Sequence, residues 1–186
     1  MSVTVLAPAA LAVAHVVPTT DRHWPGVLST ALILGADGPA WPDVVAGLRA
    51  RAGGVDGVTF AGSEPTAQPH LLSAMAQVRS LGYRVGLCTS GAFPHGLAEV
   101  LPLVDWVGLE LSDTEPVVAW TSLELVMRSG VDYEVTFTAD PVRHSRSHVL
   151  DAVREVIRRG AHAPVLQGRR LYEVIRIGDL PDLERR

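Results

Sequence analysis

Cysteine is nearly absent from this chain: Cys88 stands alone among 186 residues. One thiol excludes an internal disulfide, and with no export signal it points to the cytoplasm. It also excludes a cluster held by several thiolates of the chain. Charge of either sign is scarce in excess, since sixteen basic residues meet twenty acidic ones for a formal net charge of −4. No sequence-wide footprint for nucleic acid or for an anionic membrane results, and both partners are disfavoured. Long apolar runs are missing too, because no segment reaches the ~18 consecutive apolar residues of a membrane helix. The opening MSVTVLAPAALAVAHVVPTT is apolar, but its first basic residue is Arg22, and Pro8, His15 and Pro18 interrupt it. It reads as one or two core strands and not as a signal.

What is present is 47% hydrophobic content in a length that suits one core. The expectation is a single domain over 1–186, with 1–20 as an N-terminal strand extension and 171–186 as a C-terminal tail. Apolar β-rich runs alternate with helical periods, which specifies parallel strands joined by helical crossovers in an α/β fold. Strands are predicted at 27–34, 57–60, 83–88, 105–111, 132–137 and 163–167. Leu71, Leu72, Met75 and Val78 form one helical apolar face, and Leu150, Val153, Val156 and Ile157 form another. Gly82, Gly130 and Gly160 sit where C-caps belong. Six βα units follow, compatible on pattern alone with an open sheet or an incomplete barrel.

In both architectures ligands meet the C-terminal ends of the strands. Those ends carry Gly35-Ala36-Asp37-Gly38, Ala61-Gly62-Ser63-Glu64-Pro65, Cys88-Thr89-Ser90-Gly91, Glu110-Leu111-Ser112-Asp113, Thr136-Phe137-Thr138 and Gln167-Gly168-Arg169-Arg170. A small, polar rim after apolar strands predicts a pocket for a small molecule.

Six stretches, in order, resemble the radical S-adenosylmethionine (SAM) superfamily, in its glycyl-radical activating branch for anaerobic ribonucleotide reductase and pyruvate formate-lyase. DRHWPGVL at 21–28 is similar to D-x-P-G-x-L, and GVTFAGSEPT at 57–66 to G-V-x-F-S-G-G-E-P-T. LCTSGAFP is similar to L-D-T-N-G-x-x-P, VDWVGLELS to V-D-x-V-x-x-D-I-K, YEVTFTADPVRHSR to Y-E-F-R-T-T-V-x-x-x-x-H-x-x, and PVLQGRR to V-L-Q-x-F-R. The resemblance covers about residues 20–170 and implies a partial (β/α)6 TIM-like barrel.

It also implies contacts that the chain only partly keeps. Where the family has C-x-x-x-C-x-x-C, this chain reads GADGPAWPD at 35–43. No [4Fe–4S] cluster is therefore expected, and no reductive cleavage of SAM. The family's G-G-E-P loop, which holds the methionine amine, falls on Gly62, Ser63, Glu64 and Pro65. Its cofactor Arg falls at Thr136, too short and uncharged for a carboxylate. Its Asp, Asp and Lys fall at Cys88, Glu110 and Ser112. Implied cofactor contacts are thus Gly62, Ser63, Glu64, Thr89, Ser90, Ser112, Thr136, Thr138 and Gln167, with SAM bound weakly if at all.

Glu64 and Glu110 are the acid–base candidates, and Cys88 a third catalytic candidate, although a lone Cys is more often a small buried hydrophobe. Glu64 before Pro65 could equally cap a helix. On the family alignment, strand alternation puts Cys88, Glu110, Ser112, Thr136 and Thr138 on one inward face. His144 and His148 have i, i+4 spacing but no companion carboxylate, so no metal site is expected. Arg169 and Arg170 are adjacent and do not both point inward. Trp24, Trp41 and Trp120 would mark a protein partner if they clustered on one surface. Three functions stand open: a barrel mouth repurposed for non-redox chemistry on a small molecule, a pseudoenzyme partnering an activating enzyme or its substrate, and a SAM-binding protein without turnover.

Overall fold

The structure is a computed structural model that describes residues 11–111, 116–139, 146–162, 164–168 and 171–175. Along the chain run β1 Val13–Thr20, β2 Ser29–Leu34, α1 Trp41–Ala50, β3 Gly57–Gly62, α2 Leu71–Ser80, β4 Arg84–Thr89, α3 Pro94–Val100, β5 Trp106–Leu111, α4 Pro116–Ser129, β6 Asp132–Ala139, α5 Arg146–Arg158, β7 Val165–Gly168 and β8 Leu171–Ile175. The strands form one sheet in chain order. From β2 to β7 every neighbour is parallel, while β1 and β8 add antiparallel edges. All six predicted strands exist, with shifted ends: β2 starts at Ser29 and leaves Leu28 44% exposed, and β7 starts at Val165. The opening segment supplies an edge strand, β1, in which only Val13 is fully buried, and Leu171–Ile175 pairs antiparallel with β7 as β8.

Alternation divides each strand between two faces. One face, with Leu32, Phe60, Leu87, Val107 and Val135, packs against Leu48, Met75, Leu97, Leu123 and Val153 from the five helices in one continuous core. A helix rotates about 100° per residue, so Leu71, Met75 and Val78 share the buried stripe of α2 while Leu72 turns out, 45% exposed. Ile157 leaves the stripe of Val153 and Val156 in the same way. Gly82, Gly130 and Gly160 all have the positive φ of C-cap glycines.

The opposite face holds a separate, small cluster of Trp24, Val27 and Trp106. The two indoles stack with centroids 5.9 Å apart and planes 15° apart. They rest on glycines of three consecutive strands: a Cβ at Gly57 or Gly86 would lie 2.9 or 2.7 Å from Trp24, and one at Gly108 would lie 2.6 Å from Trp106. The segment between β1 and β2 thus reaches over the sheet: β3 and β4 omit side chains under its Trp24, and β5 omits one beside its own Trp106. Ser29 and Thr59, both fully buried, bond to each other on β2 and β3 (3.1 Å).

Candidate site at the C-terminal ends of the strands

Parallel pairing brings the C-termini of β2 to β7 to one end, where register decides the neighbours. Cys88 pairs with Gly108, Glu110 with Thr136, and Thr138 with Gln167. Cys88, Glu110, Thr136 and Thr138 therefore share the face opposite the helices, one or two residues beyond the tryptophan pair. The Thr138 hydroxyl donates to Glu110 Oε1 at 2.7 Å, and Glu110 is exposed. The Cys88 thiol packs against the Trp24–Trp106 cluster and donates to the His23 carbonyl at 3.4 Å. Burial pushes its pKa up to about 12, with help from the Glu110 and Glu134 carboxylates, so this thiol stays protonated at neutral pH. His23 Nδ1 is buried without a partner, and burial, then Arg22, lowers that imidazole's pKa.

Glu64 lies at the same end but in a second group. Its φ of −30° starts a 3-10 turn at Pro65–Ala67, which its side chain caps. Oε1 accepts from the Thr66 N–H (3.2 Å), the Thr66 hydroxyl (2.6 Å) and the Thr89 hydroxyl (2.5 Å). Oε2 accepts from the Ser90 N–H (2.8 Å) and hydroxyl (2.5 Å). Burial alone would raise its pKa, but the bonds from Ser90, Thr66 and Thr89 outweigh it and hold the carboxyl below its ordinary value. Thr89 and Ser90 are thus engaged with Glu64, away from the Glu110 group. Gly62 has φ +100°, and a Cβ there would meet the Leu34 backbone at 2.7 Å; Ser63 N–H donates to the Leu34 carbonyl.

Of the other expected residues, Ser112, His144, Arg169 and Arg170 lie outside the described residues, and Gln167 is described in its backbone alone. His148 is exposed on α5 with its ring near Phe137. Among the described residues no group of three or more His, Cys, Asp or Glu could hold a metal ion. The expected partner-facing aromatics do not form a surface. Trp24 and Trp41 are buried, the latter donating to Gln77 (2.7 Å), and Trp120 is half-buried under Arg159. Sequence reasoning missed Trp106 and Thr66; Gly108, two residues on in the same apolar strand, was the available signal for the first.

The residues after β2 do not fit an iron–sulfur cluster. Gly35–Asp43 contains no thiol, and its backbone lies against β1: Gly35 N–H donates to the Ala12 carbonyl, and a Cβ on Gly38 would lie 2.0 Å from the Val13 carbonyl oxygen. Nor does any helix among the described residues have the length and apolarity to cross a membrane.

No protein-family model matches the chain. No curated protein matches it either. Solved structures do. SuiB of Streptococcus suis bound to S-adenosylmethionine is similar at 16% identity and a TM-score of 0.53, over 75% of this chain and 37% of SuiB. SuiB bound to its precursor peptide SuiA gives 15% and 0.52, over 74% and 34%. The chain thus spans about a third of SuiB's length. QueE of Escherichia coli, at 12% and 0.50, is covered to 93% by 86% of this chain. At these identities the likeness shows a shared fold: this chain has the fold of SuiB and QueE.

Proposed function

We propose that this chain is a cluster-less member of the radical SAM type, a partial (β/α)6 barrel whose mouth binds or transforms a small molecule by non-redox chemistry. Chain-order parallel strands with all helices on one face support the barrel, because a twisted sheet covered on one side alone curls toward the other. A single remote cysteine supports the loss of radical chemistry. The observation that carries the functional reading is the exposed Glu110 carboxylate, oriented by Thr138 on the helix-free face. Below it the tryptophan pair fills the interior, which confines a ligand to the end bearing Glu110, Thr136 and Thr138. There Glu110 accepts a hydrogen bond or a proton from the ligand, and the neutral Cys88 thiol is part of the wall and not a nucleophile. A cytoplasmic location fits the free thiol.

A second reading, a pseudoenzyme that docks a protein, is favoured by Phe93 and Val117, which are 47% and 75% exposed just before α3 and in the first turn of α4, at this same end. SAM binding without turnover is disfavoured, since Glu64 is already fully engaged. Metabolite capture compared between wild type and Glu110→Ala tests the proposal. A small molecule retained by the first and lost by the second supports it; identical capture, or none beside a stable protein complex, refutes it.

A further inference from the structure

An ionised carboxylate offers about four lone-pair positions. Glu64 receives five donors from Thr66, Thr89 and Ser90 at 2.5–3.2 Å, which leaves no acceptor for anything else. The donors come from two strand ends: Thr66, like Glu64 itself, follows β3, whereas Thr89 ends β4 and Ser90 follows it. From Ser90 the connection continues. The Thr89 hydroxyl accepts from Gly91 N–H (3.0 Å), and the buried Ser122 of α4 donates to the Gly91 carbonyl (2.7 Å). Gly91 is held there sterically, because a Cβ would lie 2.9 Å from both Leu109 and Ser122. Leu109 precedes Glu110 on β5, and α4 follows β5 in the chain. On the β3 side, α3 rests on the same turn: a Cβ at Gly96 would lie 2.1 Å from the Thr66 carbonyl oxygen.

We propose that Glu64 is a positioning residue whose carboxylate latches the β3 end to the β4 end, and through Gly91 and Ser122 to the element beside Glu110, so that this side of the mouth is closed to a ligand's ammonium group. The latch is independent of what the Glu110 side binds. It depends on charge, because a protonated carboxyl turns one acceptor into a donor and sets it against donors that have no other role here. The groups that face Glu64 are Thr66, Thr89 and Ser90, and the bonds that lower its pKa include no ion pair.

Nuclear magnetic resonance reads this without any ligand. In wild type the Glu64 side-chain carbon titrates below the ordinary Glu range, and the Ser90 and Thr66 amide resonances follow that same midpoint. In Glu64→Gln, the pH dependence of both amides disappears. Their hydrogen exchange there rises at least tenfold beyond any change at Leu87 and Val107. Millimolar SAM, used as the ammonium probe, leaves the Glu64 carbon unmoved. A Glu64 midpoint in the ordinary range with unresponsive Ser90, or a Glu64 signal shifted by the probe, overturns the latch. Failure of the mouth to bind any metabolite leaves these readouts unchanged, so the two proposals fail separately.

Discussion

Over Gly57, Gly86 and Gly108 the helix-free face is closed by two stacked indoles, whereas nearer the strand C-termini it carries Glu110, two residues beyond Gly108 on β5, with Thr136 and Thr138 on the neighbouring β6. The same backbone pleat serves both levels. At the lower one, side chains are removed so that apolar surface excludes water; at the upper one, a carboxylate is left in solvent with a single neighbouring hydroxyl. Packing energy thus concentrates below and chemical freedom above. The other side of the rim, around Glu64, resembles neither level, for its polar atoms are consumed by one another.

Substitutions should separate these regions by size of effect. Trp24→Ala removes an indole from its glycine seats and is expected to destabilise the fold by about 3–5 kcal/mol in chemical denaturation, with Trp24→Phe milder. A Trp24→Ala loss under ~1 kcal/mol would mean the indole pair is not a packed floor. Glu64→Gln deletes bonds to an ionised acceptor, for an expected loss of about 1.5–3 kcal/mol. Its sign with pH is fixed: a carboxyl held below its unfolded pKa contributes stability above that unfolded value, lost as pH falls through the folded one. Wild type should therefore lose its advantage over Glu64→Gln in acid, as urea midpoints at pH 7 and pH 3 would record; a constant difference would sink the charged latch. Cys88→Ala should cost under ~1 kcal/mol. At neutral pH, raising the thiol from 9.0 to about 12 cuts its thiolate about a thousandfold. Alkylation of native protein should accordingly lag an unstructured thiol by that order. Glu110→Gln should change stability least, within about 0.5 kcal/mol, because the carboxylate is exposed.

Much of this arrangement was legible in the chain. The six parallel strands follow from apolar runs alternating with 3.6-residue periods, and the grouping of Cys88, Glu110, Thr136 and Thr138 on one face follows from two-residue alternation once the family alignment sets the register between strands. Pairing partners of a lone apolar run are not local information, so 13–20 looked like core and 171–175 like tail. Trp24 looked exposed because it sits in a polar, proline-containing segment; only Gly57 and Gly86, on neighbouring strands, reveal its seat once register is known. Glu64 was legible as a cap but not as a saturated one, since Thr89 and Ser90 lie 25 and 26 residues away and meet it only through parallel pairing.

The proposal that this chain keeps the fold of SuiB and QueE without radical chemistry is tested most directly by anaerobic reconstitution with iron and sulfide followed by reduction in the presence of SAM. Expected are no stoichiometric iron or sulfide, no [4Fe–4S] signal in electron paramagnetic resonance and no 5′-deoxyadenosine. Stoichiometric iron and sulfide with a reduced-cluster signal, or 5′-deoxyadenosine formed in proportion to protein, would contradict it.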